Sequence, residues 1–270
     1  MMKIISHYNT TKKMYLLDNK YYMIRNGDFA TNANTKIIYG FVSGILCIDD
    51  YVNRNSTDCI MILVTSTTVW SVVELYLHIS KTREIKPMYI MLGNHKQRLP
   101  QSFGIILQGF QEGGVISTLG LYFGDRLYEM KSQIHMHMFI MLVVMNIFMK
   151  KNKMKSSKRQ VNTRTSLVLI GSASVYNMYM CYNHPEHIER QLSMFCAMVY
   201  ICSYWTFFAW YRGFRSIEIH EPQMIEQGDG VIQHYVVRQA NYWETFCVMA
   251  YDVIFEIGMA YTFFYNITLV

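Results

Sequence analysis

All 25 Lys and Arg residues of this 270-residue chain lie outside seven apolar segments, at 37–48, 59–80, 104–124, 133–149, 165–182, 191–211 and 245–266. The four Pro residues, at 87, 100, 185 and 222, fall outside them too. At about 1.5 Å per residue, most of these segments reach the roughly 30 Å of a hydrocarbon layer as helices. The partition therefore predicts an all-α, polytopic transmembrane helix bundle of about seven spans. Segment 37–48 is short and spans only if Lys36 snorkels or the bilayer thins locally.

The basic residues between the segments set an orientation. The N-terminal arm and the connections 81–103, 150–164 and 212–244 hold 6, 5, 7 and 3 of them, or 21 of the 25. The alternate connections hold only Arg54, Arg126, Lys131 and Arg190. Cytoplasmic loops carry the excess of Lys and Arg, so the N-terminus is expected in the cytoplasm and the C-terminus outside. The chain then divides into a basic cytoplasmic arm, 1–36, and a seven-span membrane domain, 37–270, with a longer cytoplasmic loop at 212–244. Topology accounts for the net charge of +6, so no nucleic-acid partner is expected; the lipid bilayer is. Met1–Ser6 has no apolar run behind it of the length a signal peptide needs.

Within the third segment, Gly109, Gly113, Ser117, Gly120 and Gly124 fall in a sector of roughly 80° at about 100° per residue. Such a ridge lets helix backbones approach closely, within the chain or against a second copy or membrane partner. Gly40 and Gly44 have the spacing of a partner for it. The stretch 12–26 reads as an interfacial helix, 28–35 as a loop, and the centre of 81–103 as a segment dipping into the interface. After the 227–230 turn, VIQHYVV alternates like a strand.

Four carboxylates lie inside the segments: Glu74, Glu112, Asp252 and Glu256. Counted from the cytoplasmic ends, their depths are roughly 9, 12, 10 and 17 Å. No span contains a Lys or Arg to neutralise them. Acids gathered at one level cannot all stay ionised unless a cation or water joins them. That pattern points to binding a small cation or a proton, hence to transport or channel activity. Isolated, hydrogen-bonded helix contacts are the plainer alternative.

His135 and His137 open the fourth span, and His184, Glu186 and His187 occupy the turn after the fifth. Imidazoles in that number are ligands for zinc or another divalent metal, although the spacing matches no established site. Of the six Cys, none forms CxxC; Cys47 and Cys59 flank one short loop, and buried free thiols are expected for the set. GxSxG, HExxH, Walker and dinucleotide motifs are absent. The leading expectation is thus an integral membrane protein, not an enzyme, that handles a cation or proton. A structural or interaction protein of a viral or organellar envelope is the alternative, and an intramembrane metal-dependent hydrolase built on the histidines the third.

Overall fold

The computed structural model describes residues 19–28, 30–93, 95–127, 131–148, 155–227 and 230–270. Expectations for 1–18, including part of the basic arm, lie outside the described residues, as do 149–154. Seven helices run through the rest. They are α1 (Ala33–Arg54), α2 (Asp58–Ile79), α3, α4 (Lys131–Phe148), α5 (Arg164–Asn183), α6 (Ile188–Tyr211) and α7. Helix α3 is continuous through Gln101–Gly109, a π-helical Phe110–Val115 and Ile116–Gly124. Helix α7 likewise runs through Tyr242–Tyr251, a π-helical Asp252–Met259 and Ala260–Leu269.

Three of these stretches, Asp58–Ile79, Pro185–Tyr211 and Tyr242–Leu269, are long and apolar enough to cross a membrane. Large apolar side chains such as Phe41, Val52, Val72, Phe139 and Val175 are exposed on the outward faces of α1, α2, α4 and α5. The interior is aromatic and Met-rich, with Tyr39, Ile62, Leu121, Met194, Met198 and Tyr265 buried in one cluster.

The all-α expectation is corrected by a five-stranded antiparallel sheet, in the order β2-β5-β1-β6-β7. Its strands are β1 (Lys20–Asn26), β2 (Arg83–Ile85), β5 (Lys155–Gln160), β6 (Arg215–Gln227) and β7 (Gly230–Gln239). Strands β3 (Tyr89–Leu92) and β4 (His95–Arg98) form a separate hairpin. The sheet draws on all four basic connections. Tyr21 and Met23 of β1 and Ile217 and Ile219 of β6 bury together against Val248 and Tyr251 of α7. That apolar seam docks the sheet on the bundle. The loop expected at 212–244 is therefore mostly a β-hairpin, residues 20–26 are a strand rather than an interfacial helix, and the centre of 81–103 is a hairpin strand.

Segment 37–48 sits inside the 22-residue α1, which extends beyond it at both ends. Asn32 caps its start, accepting from the Asn34 amide at 3.0 Å. Asn55 ends it in the left-handed region at φ 53°, a conformation Asn tolerates better than most residues. At the end of the bundle away from the sheet, Asp125 accepts two bonds of 2.7 Å from Arg190 and one of 2.9 Å from Arg54. Arg190 also reaches Asp58 at 2.7 Å, and Arg126 reaches Asp50 at 2.8 Å. The three short connections are tied together by these pairs.

Candidate functional site: a charged chamber beneath the sheet

Residues paired directly across a sheet share a face, as do residues two apart on a strand. Arg83 pairs with Arg159, Arg159 with Met23, and Met23 with Ile217; in the next row Arg25 pairs with Arg215. One face of the sheet thus presents Arg25, Arg83, Arg159 and Arg215 alongside the apolar seam. Below it, α2 supplies Glu74, the π segment of α3 supplies Glu112, and the π segment of α7 supplies Asp252 and Glu256. π segments interrupt the regular α ladder and concentrate at functional sites.

The acids meet the arginines in two groups. Arg83 donates to Glu74 and, at 2.6 Å, to Glu112, which also accepts from Arg25. Arg159 donates through Nη2 to Asp252 at 2.7 Å and to Glu256 at 2.6 Å. Arg215 reaches Asp252 at 3.1 Å and Thr206 at 3.2 Å. Burial works against the charge on Arg83 and Arg159, but the carboxylates beside each outweigh it and raise the basicity above the ordinary guanidinium value. At Arg215 burial wins and basicity falls, with Asp252 opposing. The premise that the intramembrane acids have no basic partner is therefore overturned: the partners come from the sheet.

A fifth cation, Lys36 of α1, is buried to 1% exposure and points its Nζ at the chamber. It donates to Gln108 at 2.9 Å and to Gln111, both neutral amides. Five bases and four acids leave an excess of one positive charge when all are ionised. The cavity that all of them but Glu74 line offers about 70 Å³ to water-sized occupants. One water needs about 10–15 Å³ on that measure, so several fit. On its walls the buried Trp70 Nε1, Arg83 Nε and Glu256 Oε1 have no hydrogen-bond partner among the described residues. Past Gln111, Cys202 and Trp205 the chamber abuts an apolar slot of about 40 Å³, walled by Tyr39, Leu119 and Met198.

The other singled-out residues sort as follows. Gly109 and Gly113 lie against α2: a Cβ on Gly109 would stand 2.6 Å from the Ser71 Cα, and one on Gly113 2.5 Å from the Ser66 carbonyl. Gly120 and Gly124 lie instead against Met198 and Met194 of α6. Gly40 faces the Phe110 ring, and Gly44 has open space beside it. His135 is exposed and bonds the Tyr200 hydroxyl at 3.1 Å, while His137 is buried beside the Phe123 ring. His187 bonds Tyr265 at 2.7 Å, and His184 lies 3.4 Å from Glu186. Among the described residues no three His, Cys, Asp or Glu side chains gather as a metal site. All six thiols are free, but only Cys47, Cys59 and Cys202 are buried, while Cys196 and Cys247 are exposed.

Sequence reasoning used Arg25, Arg83, Arg159, Arg215 and Lys36 as markers of topology and missed them as site residues. One signal was there: in RSIEI, from Arg215, the arginine has the same parity as two apolar residues that face the core. No protein family, no curated protein and no solved structure matches the chain.

Proposed function

We propose that this chain is a multi-pass membrane protein that exchanges protons between a water-filled chamber and the sheet side of the membrane, as a transporter or channel. Seven crossings, with the sheet in the cytoplasm and the C-terminus outside, fit the 21 basic residues on the four connections that supply the sheet. The exposed apolar side chains on the outward helix faces suit a lipid surround. A resident metal cation has little support, since every chamber carboxylate already has a guanidinium.

The observation that carries the proton reading is the pairing left incomplete. Among the described residues, buried Lys36 hydrogen-bonds only to amide oxygens, and one buried carboxylate oxygen of Glu256 has no donor. They line the same hydratable cavity, and no opposite charge fully pins the protonation of either. Waters between them would form a relay of the kind intramembrane acids and bases serve.

The test is proton flux in sealed liposomes carrying an internal pH-sensitive dye. The reconstituted chain should relax an imposed pH gradient faster than empty liposomes, and Lys36→Met and Glu256→Gln should each slow it while still inserting. Flux no faster than the empty control, in either direction of the gradient, removes the reading. A purely structural joint between sheet and helices then takes its place. That second reading has its own support in the arginine pairing of all four acids.

A further inference from the structure

Beside the chamber, a groove opens on the flank of the bundle. Helices α2 and α5 both pack on α7 but scarcely on each other. The gap between them offers about 260 Å³ to water-sized occupants, far more than the chamber itself. Its walls are apolar, among them Val73 and Leu77 of α2, Leu169 of α5 and Phe263 of α7. Small side chains, Ser172 and Ala173, leave it open on the α5 side. Its polar end is formed by Arg159 and Glu256, which also line the chamber.

Two features of that end ask for a ligand. Arg159 bonds both acids through Nη2 alone, which leaves its Nε–H and Nη1 donors without a partner among the described residues. Glu256 is more than nine-tenths buried, and its Oε1 has no donor among the described residues. A pair of unpartnered donors beside one unpartnered acceptor is the complement of a carboxylic acid group, which accepts through its carbonyl oxygen and donates through its O–H. The apolar channel leading away from them is the complement of an alkyl chain.

We propose that the groove binds a single-chain, long-chain carboxylic acid. Its head sits between Arg159 and Glu256, and its tail lies between α2 and α5, reached laterally from the lipid. The neutral acid is the form that donates to Oε1 while accepting from Arg159. A methyl ester of the same chain fills the groove equally well but has no O–H, and leaves Oε1 unpaired. A buried acceptor left without its donor costs about 1–3 kcal/mol, so the ester should bind about tenfold or more weakly. A monoglyceride keeps hydroxyls but sets a bulkier head against the same two residues, and should also fall behind the acid.

The experiment uses the full chain purified in a non-ionic detergent. Palmitic acid, methyl palmitate and monopalmitin are titrated separately, with binding read by native mass spectrometry and by the shift in thermal midpoint. Palmitic acid should bind about tenfold more tightly than the ester, and Ala173→Leu, which fills the groove, should abolish the difference. If Ala173→Leu does not fold, Ser172→Leu narrows the same groove from its exposed side. Equal affinity for acid and ester, or an undiminished preference in a folded groove-filling variant, overturns the assignment. The readout is equilibrium binding with no pH gradient. Its failure is therefore distinct from failure of the proton reading, which shows as absent flux in lipid-only liposomes without added acid.

Discussion

Replacing Arg159 with Met should be strongly destabilising, and a second mutation that removes a further hydrogen-bonding charge should give stability back. Arg159 holds Asp252 at 2.7 Å and Glu256 at 2.6 Å. Without it, Asp252 keeps Arg215 at 3.1 Å, whereas Glu256 loses its one ion pair among the described residues. Breaking a buried pair from one side costs about 3–5 kcal/mol, because the remaining charge is left uncompensated. Several waters fit in the chamber and soften that penalty, which puts Arg159→Met near the lower end, about 3 kcal/mol. Glu256→Gln alone keeps an oxygen that accepts from Arg159 and loses mainly the charge assistance, about 1.5 kcal/mol. In the double variant no stranded carboxylate remains, so the orphan penalty vanishes, with a coupling of about 2–3 kcal/mol. Arg159→Met/Glu256→Gln should then be more stable than Arg159→Met by roughly 1 kcal/mol. Unfolding in mixed micelles of rising SDS fraction, followed by tryptophan fluorescence, measures all four corners of the cycle. A double variant less stable than Arg159→Met would refute the reasoning, since it would mean that Glu256 is not stranded when the arginine goes.

Three glycines should respond differently to alanine, each for its own steric reason, and thermal midpoints in detergent rank them. Gly124→Ala sets a Cβ 2.7 Å from the Met194 amide nitrogen, backbone that cannot swing aside, and should cost about 1–3 kcal/mol. Gly120→Ala meets the flexible Met198 side chain and should cost less, while Gly44→Ala meets nothing within 4 Å and should stabilise α1 by about 0.5–1 kcal/mol through helix propensity. At His220, burial first and then Lys158 hold the imidazole below its ordinary range, and its ring lies 4.3 Å from that of Tyr22. The unfolded chain therefore binds this proton more readily, so stability should rise with pH through about 6.5, and His220→Gln should flatten that part of the profile.

The helices were legible because lipid-length apolar runs without Lys or Arg are hard to read otherwise. Their ends were less so. Lys36, Asp49 and Asp50 look like stop signals around 37–48, yet α1 runs through all three. Each is met in tertiary structure, Lys36 by Gln108 and Gln111, Asp49 by the Tyr122 hydroxyl and Asp50 by Arg126. No local pattern announces such partners. Apart from VIQHYVV, which alternates like a strand and lies in β7, the sheet was illegible for a related reason. Its strands come from four separate connections, one of them only Arg83–Ile85, and KSSKRQ in β5 has neither β-branched residues nor alternation. Pairing across more than a hundred residues, as between β1 and β5, carries the order that local propensity lacks. The four acids could be read as sharing a level, because depth follows from counting along a helix. Their partners could not, because the arginines reach them from strands that the sequence did not disclose.

If the apolar seam alone holds the sheet down, the charges beneath it are dispensable for stability. Tyr21, Met23, Ile217 and Ile219 already bury an apolar seam against α7. A buried ion pair exchanged for well-packed apolar side chains of similar volume is commonly neutral or stabilising by about 1–4 kcal/mol. The Glu74–Arg83 pair offers a clean case, since both side chains are at most 4% exposed and Glu112 retains Arg25 when Arg83 is removed. Arg83→Met alone should cost about 3–5 kcal/mol, by stranding Glu74. Glu74→Leu/Arg83→Met should return to within about 1 kcal/mol of the parent chain. That recovery, read in the same SDS titration, would mean that stability does not account for the pair, and would leave the chemistry of the hydrated chamber as the reason for it. A double variant as unstable as Arg83→Met would instead make the ion pair part of the joint itself, and would move the balance from proton exchange to the structural reading.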